Sequence, residues 1–151
     1  MTTSTDRIEK SIVLKAPRSR VWNAISNADQ FGDWFGVKMQ GDFAAGSTAV
    51  GQITTPGYEH LSMELFVDRI EPENLFSYRW HPYAVEPNSD YSSEPTTLVE
   101  FRLAEVDGGT ELTIVESGFD GIPLDRRDEA FRMNEGGWTA QITNIERYVT
   151  A

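Results

Sequence analysis

Of all the ionisable side chains in the sequence, Glu116 has the setting that most invites chemistry. The run Thr110 to Ser117 alternates, with Leu112, Ile114 and Glu116 on one face and Glu111, Thr113 and Val115 on the other. Leu112 and Ile114 mark the inner face, so Glu116 points inward with them. A carboxylate there is costly unless it is paired or near water. It reads either as a ligand-orienting acceptor or acid/base group with a raised pKa, or as a strand-end residue at a cavity mouth bonded to Arg or Tyr. No second catalytic group joins it. His60 and His81 have no HxxxH or HExxH spacing, and strand pairing would set His60 opposite residue 85 rather than His81, which argues against a metal site. There is no GxSxG, no GxGxxG and no P-loop, so neither a serine triad nor a nucleotide cofactor is supported. Cysteine is absent, which removes disulfides, thiolate ligands and cysteine nucleophiles. The expectation is no cofactor, no metal and no catalytic constellation, with Glu116 as the sole catalytic candidate and the balance against an enzyme.

Aromatic residues dominate the other inward positions. In Leu75 to His81, Phe76, Tyr78 and Trp80 share a face; in Thr97 to Ala104, Thr97, Val99, Phe101 and Leu103 do. Tyr78, Trp80, Phe101 and Ile114 are therefore either walls of a cavity for an aromatic ligand or ordinary core. Trp34, Phe35 and Met39 form either a lid over the cavity mouth or a plug between helix and sheet. For His60 to Ile70 the parity is ambiguous; Leu61, Met63, Leu65 and Val67 are taken as the inner set. Phe131, Asn134, Glu135 and Trp138 border whatever space remains on the helical side.

These positions need a scaffold. Ile8 to Leu14 alternates and is rich in β-branched residues, so it reads as a strand. Pro17 suits the first turn of a short helix over Arg18 to Ser26. Asn27 and Asp29 are capping residues for a second helix carrying Phe31, Trp34 and Phe35, closed by Gly36. Strands follow at 37–43, 48–54, His60 to Ile70, Leu75 to His81, Thr97 to Ala104 and Thr110 to Ser117, with a hairpin turn at Asp107-Gly108-Gly109. A loop from 82 to 95, with Tyr83, Tyr91, Glu86, Asp90 and Glu94, is long for a hairpin and either covers a cavity entrance, contacts a partner or is simply solvated. Asp125 is read as the N-cap of a long helix. From Phe131 it carries one stripe of Phe131, Trp138, Ile142, Ile145 and Val149. Gly136 falls opposite Trp138 and Gly137 on a flank, which suggests a bend or the close approach of another segment. The order β-α-α-β-β-β-β-β-β-α is α+β: a curved antiparallel sheet of six to seven strands around one long helix.

The 151 residues fit one domain. A net charge of −11 argues against nucleic acid and against anionic membranes. No secretory signal and no apolar run long enough to span a membrane is visible, so a cytoplasmic location is expected.

Four segments together resemble one family. They are Ile12 to Trp22 leading into Phe31-Gly32-Asp33-Trp34-Phe35; Ile70-Glu71-Pro72-Glu73 through Trp80; Gly109 to Phe119; and Asn134-Glu135-Gly136-Gly137-Trp138 with Ile142, Ile145 and Tyr148. In this order they resemble the START-like (SRPBCC) superfamily, and within it the bacterial homologues of the C-terminal domain of heat-shock-protein ATPase activators. Ala45-Gly46-Ser47 departs from the double glycine that relatives often show there. The resemblance implies a helix-grip fold over residues 1–151. It also implies three possible roles: binding of a small hydrophobic or aromatic molecule between sheet and helix; co-regulation of a chaperone ATPase or other protein interaction, as in a stress response; or polyketide cyclase- or dehydratase-like catalysis. Whether the protein is a monomer or a homodimer, and whether the cavity is open or filled by side chains, stays open at this level.

Overall fold

The computed structural model describes residues 6–82 and 93–150. The expected frayed start before Asp6 and most of the 82–95 loop, including Tyr83, Glu86, Asp90 and Tyr91, lie outside the described residues. Chain order is β1 (Arg7–Leu14), α1 (Arg18–Ser26), α2 (Ala28–Phe35), β2 (Val37–Gln40), β3 (Thr48–Ile53), β4 (Ser62–Glu71), β5 (Leu75–Trp80), β6 (Thr97–Val106), β7 (Gly109–Ser117), a 3₁₀ turn at Phe119–Gly121, and α3 (Leu124–Thr150). All seven strands form one antiparallel sheet in the order β1-β7-β6-β5-β4-β3-β2. Only β1 joins out of sequence, because α1 and α2 separate it from β2 and it closes on β7 instead. This is the helix-grip architecture expected from the element order. Among the described residues, no helix is long and apolar enough to cross a membrane.

The local causes are mostly those expected. Asn27 caps α2 by accepting from Gln30 N–H at 3.0 Å, and Gly36 ends it with φ +91°, a left-handed conformation that favours glycine. Pro17 sits one place earlier than the first turn of α1, as its N-cap. Of the inner set taken from the ambiguous pattern, Met63, Leu65 and Val67 are buried on β4, whereas Leu61 lies just before the strand and is half-buried. Some boundaries differ: β2 stops at Gln40, β4 starts at Ser62, and β6 runs on to Val106. The start of α3 is the larger correction. Arg126 and Arg127 N–H groups both reach Pro123 C=O at 2.9 Å, so the helix is already formed at Leu124. Asp125 therefore lies inside the first turn, where its charge still suits the helix dipole, rather than at the cap.

One face of α3 closes the sheet. Ala130, Trp138, Ile145 and Val149 are buried, and each fully buried large apolar side chain of this kind contributes about 1.5–3 kcal/mol. Arg126, on its first turn, also reaches back across the molecule. Its guanidinium donates to Pro82 C=O at 2.9 Å and to the Glu94 carboxylate at 2.8–3.2 Å, holding together the two ends of the segment between β5 and β6.

The glycines separate into two kinds. At Gly32 a Cβ would stand 2.1 Å from Val37 C=O, so α2 packs backbone-close on β2. At Gly136 and Gly137 a Cβ would meet nothing within 4 Å, which overturns the close approach of another segment suggested by their position. Gly32→Ala should therefore lower stability by about 1–3 kcal/mol, as overpacking does. Gly136→Ala should raise it by about 0.4–1 kcal/mol, through reduced freedom of the unfolded chain. Urea denaturation of the two variants checks the pair, and equal effects would contradict this packing.

Candidate functional site

The register places Glu116 near the end of β7, on the inner face. Ile8, Glu116, Val99, Tyr78 and Val67 form one row across five strands, and Trp80 pairs with Thr97 in the next row. Glu116 is fully buried. Its oxygens accept from Trp80 Nε1 at 2.7 Å, Thr97 Oγ1 at 2.6 Å, Trp138 Nε1 at 2.8 Å and Asn134 Nδ2 at 3.0 and 3.1 Å. Indole and amide N–H groups can only donate, so this is the geometry of a carboxylate accepting at both oxygens. The partners differ from the Arg or Tyr expected at a strand end: four neutral donors, from β5, β6 and α3, replace a cation. Hydrogen bonds to a charged group, roughly 1.5–3 kcal/mol each, offset the burial that would otherwise expel the carboxylate.

Tyr78 lies in the same row and is also fully buried, yet its hydroxyl has no partner among the described residues. Burial first, and the Glu116 charge second, hold its pKa well above the usual tyrosine value. Its neighbours are rings: Trp80 at 5.3 Å, Phe76 at 5.9 Å, Phe101 at 6.0 Å and Phe31 at 6.5 Å between centroids.

Among the described residues, the space between sheet and α3 around Glu116 and Tyr78 is packed by side chains. What opens at the seam is a pocket of about 80 Å³ lined by Phe35, Trp80, Asn134, Gly137, Trp138 and Gln141. Drug-sized ligands occupy roughly 300–1,000 Å³, so this is room for a small group only. Phe35 lies 6.2 Å from Trp80 and 6.1 Å from Trp138, and the two indoles lie 5.8 Å apart.

The twelve residues singled out in the sequence therefore divide. Phe35, Trp80, Asn134 and Trp138 line the pocket, with Glu116 directly behind them. Tyr78, Phe101 and Ile114 are core beneath it. Trp34 is a plug, buried with its indole donating to Ala24 C=O at 2.8 Å, and Met39 is buried at the β2 edge of the core. Phe131 packs edge-on against Phe119, 5.1 Å between centroids, and Glu135 is exposed to solvent. Thr97, Gly137 and Gln141 complete the site although none was in that set. Thr97 was legible as an inward residue, but its reach to Glu116 depends on register. Gln141 donates to Phe35 C=O at 2.9 Å and pins the pocket rim.

Two variants check this arrangement. Glu116→Gln sets an amide against donors and should lower stability by roughly 2–4 kcal/mol, read by denaturant titration. Tyr78→Phe removes an unpartnered buried hydroxyl and should raise stability by about 1 kcal/mol. The raised Tyr78 pKa acts as stability that is complete below the unfolded value of 10.0 and is lost as pH rises through the folded value. The ultraviolet phenolate signal of Tyr78 should accordingly appear only with alkaline unfolding, and Tyr78→Phe should move that unfolding to higher pH. Titration of Tyr78 in the intact fold would refute the assignment.

Comparison with known proteins bears on what this geometry belongs to. The chain superposes on protein MLL2253 from Mesorhizobium loti with a TM-score of 0.75 at 19% identity, covering 95% of this chain and 96% of that one. The Aha1 dimer from Colwellia psychrerythraea matches with a TM-score of 0.71 at 16% identity over 95% of each chain. DynU16, from the dynemicin biosynthetic locus, matches with a TM-score of 0.75 at 20% identity over 97% of this chain and 48% of that one. At such identities the likeness is one of fold. No curated protein matches the sequence. The model of one family does, over residues 15–150, nearly the whole sheet and all of α3. The chain belongs to the family described as Activator of Hsp90 ATPase homolog 1-like protein.

Proposed function

We propose that the protein is a protein-docking module of the chaperone-ATPase co-regulator kind. One observation carries this reading: among the described residues, aromatic side chains pack the space around Glu116, and the pocket at the sheet–helix seam holds only about 80 Å³, which favours binding at the outer surface. Family membership agrees with it, and a net charge of −11 suits a partner with a basic face. The test is to add the purified protein to the Hsp90-type chaperone of its own host and measure ATP turnover, with co-elution at two salt concentrations. A change in turnover together with salt-weakened co-elution is the expected outcome. Unchanged turnover with no co-elution would remove the reading.

The seam pocket favours a second reading, in which a small hydrophobic or aromatic molecule sits against Phe35, Trp80 and Trp138. Thermal-shift screening followed by calorimetry addresses it. Catalysis of the cyclase or dehydratase kind is less well supported, because both oxygens of Glu116 are already occupied by donors and neither is left to move a substrate proton.

A further inference from the structure

The seam pocket has a chemistry of its own. Three of its six lining residues are aromatic, and those rings converge within 5.8–6.2 Å of one another. Behind Trp80, Trp138 and Asn134 stands a fully buried carboxylate, Glu116, whose four donors are all uncharged. None of the six lining residues is basic. The negative charge is therefore spread over neutral dipoles and not cancelled, and its field extends into a small apolar space, where it is screened much less than in water. Aromatic rings add to that field, because the ring quadrupole attracts cations. The remaining polar groups agree in sign. Asn134 donates its Nδ2 to Glu116, and its Oδ1 meets no donor among the described residues. Gln141 spends one amide N–H on Phe35 C=O, and its oxygen accepts from Asn144, so it is held at the rim rather than aimed at the pocket centre as an anion donor.

We infer that this pocket binds an alkylated ammonium group of a small molecule. A volume of about 80 Å³ matches a compact headgroup, far below the space a polycyclic ligand needs. A bare ammonium would lose more hydration on entering than one with methyl groups, which bring their own apolar surface to the rings. Gly137 lines the pocket at its exposed mouth, and a Cβ there would meet no atom within 4 Å, so a larger side chain can be placed at the mouth without displacing a neighbour. The inference rests on the small-molecule reading of the pocket and is independent of the docking surface.

The probes are choline and its neutral carbon isostere 3,3-dimethylbutan-1-ol, each titrated into the full chain and followed by tryptophan fluorescence and calorimetry. Choline should bind saturably and about tenfold more tightly than the isostere, the scale of a desolvated cation–π contact. Gly137→Leu, which fills the pocket without touching the core, should abolish binding while the protein stays folded. Phe35→Leu should weaken choline several-fold and leave the isostere unchanged. Equal affinity for the two probes would overturn the cation assignment and leave a neutral-ligand pocket standing. No saturable binding of either, or binding that survives Gly137→Leu, would overturn both.

Discussion

A carboxylate stripped of water without a cation to balance it is the constraint around which this structure is arranged. Glu116 draws a donor from β5, one from β6 and two from α3. Each donor has to come from the right row of the sheet or the right turn of the helix to meet the oxygens. The carboxylate thereby fixes the rotamers of both indoles and the rotation of α3 about its own axis. A purely apolar packing of the same volume would tolerate slippage that this one does not. Specificity of this kind is the best-attested use of a buried polar group.

Filling of the interior follows from the same choice. With Trp80 and Trp138 held by their N–H groups, their ring bodies lie between sheet and helix, and Phe35 closes over them from α2. Below, Phe101 touches Phe76, Tyr78 and Trp138 in one continuous set of ring contacts. Among the described residues, aromatic side chains thus pack this part of the space between sheet and α3.

Periodicity made the scaffold readable. The alternation of Phe76, Tyr78 and Trp80 and of Leu112, Ile114 and Glu116 states which face is inner, and Asn27 and Gly36 state where α2 starts and stops. The beginning of α3 was less legible, because its first turn carries exposed and charged residues, with Leu124 79% exposed, and shows no stripe to count. Glu116 could be recognised as an inward carboxylate, but its donors could not. Thr97 depends on the β6–β7 register, and Asn134 and Trp138 depend on how α3 is rotated over the sheet. Neither quantity is local in the chain. Gly136 and Gly137 misled for the opposite reason: a glycine in a helix signals the absence of a side chain, and here that absence faces open space rather than a neighbour.

The grip of Arg126 on Pro82 and Glu94 has an evolutionary consequence. It ties a neck at the base of the connection between β5 and β6, joining the two ends that lead into those strands. Lengthening that connection adds only loop-closure entropy, about 0.6 kcal/mol for each doubling. The chain can therefore acquire insertions there, even a grafted peptide or a second module, while the carboxylate and its indoles stay as they are.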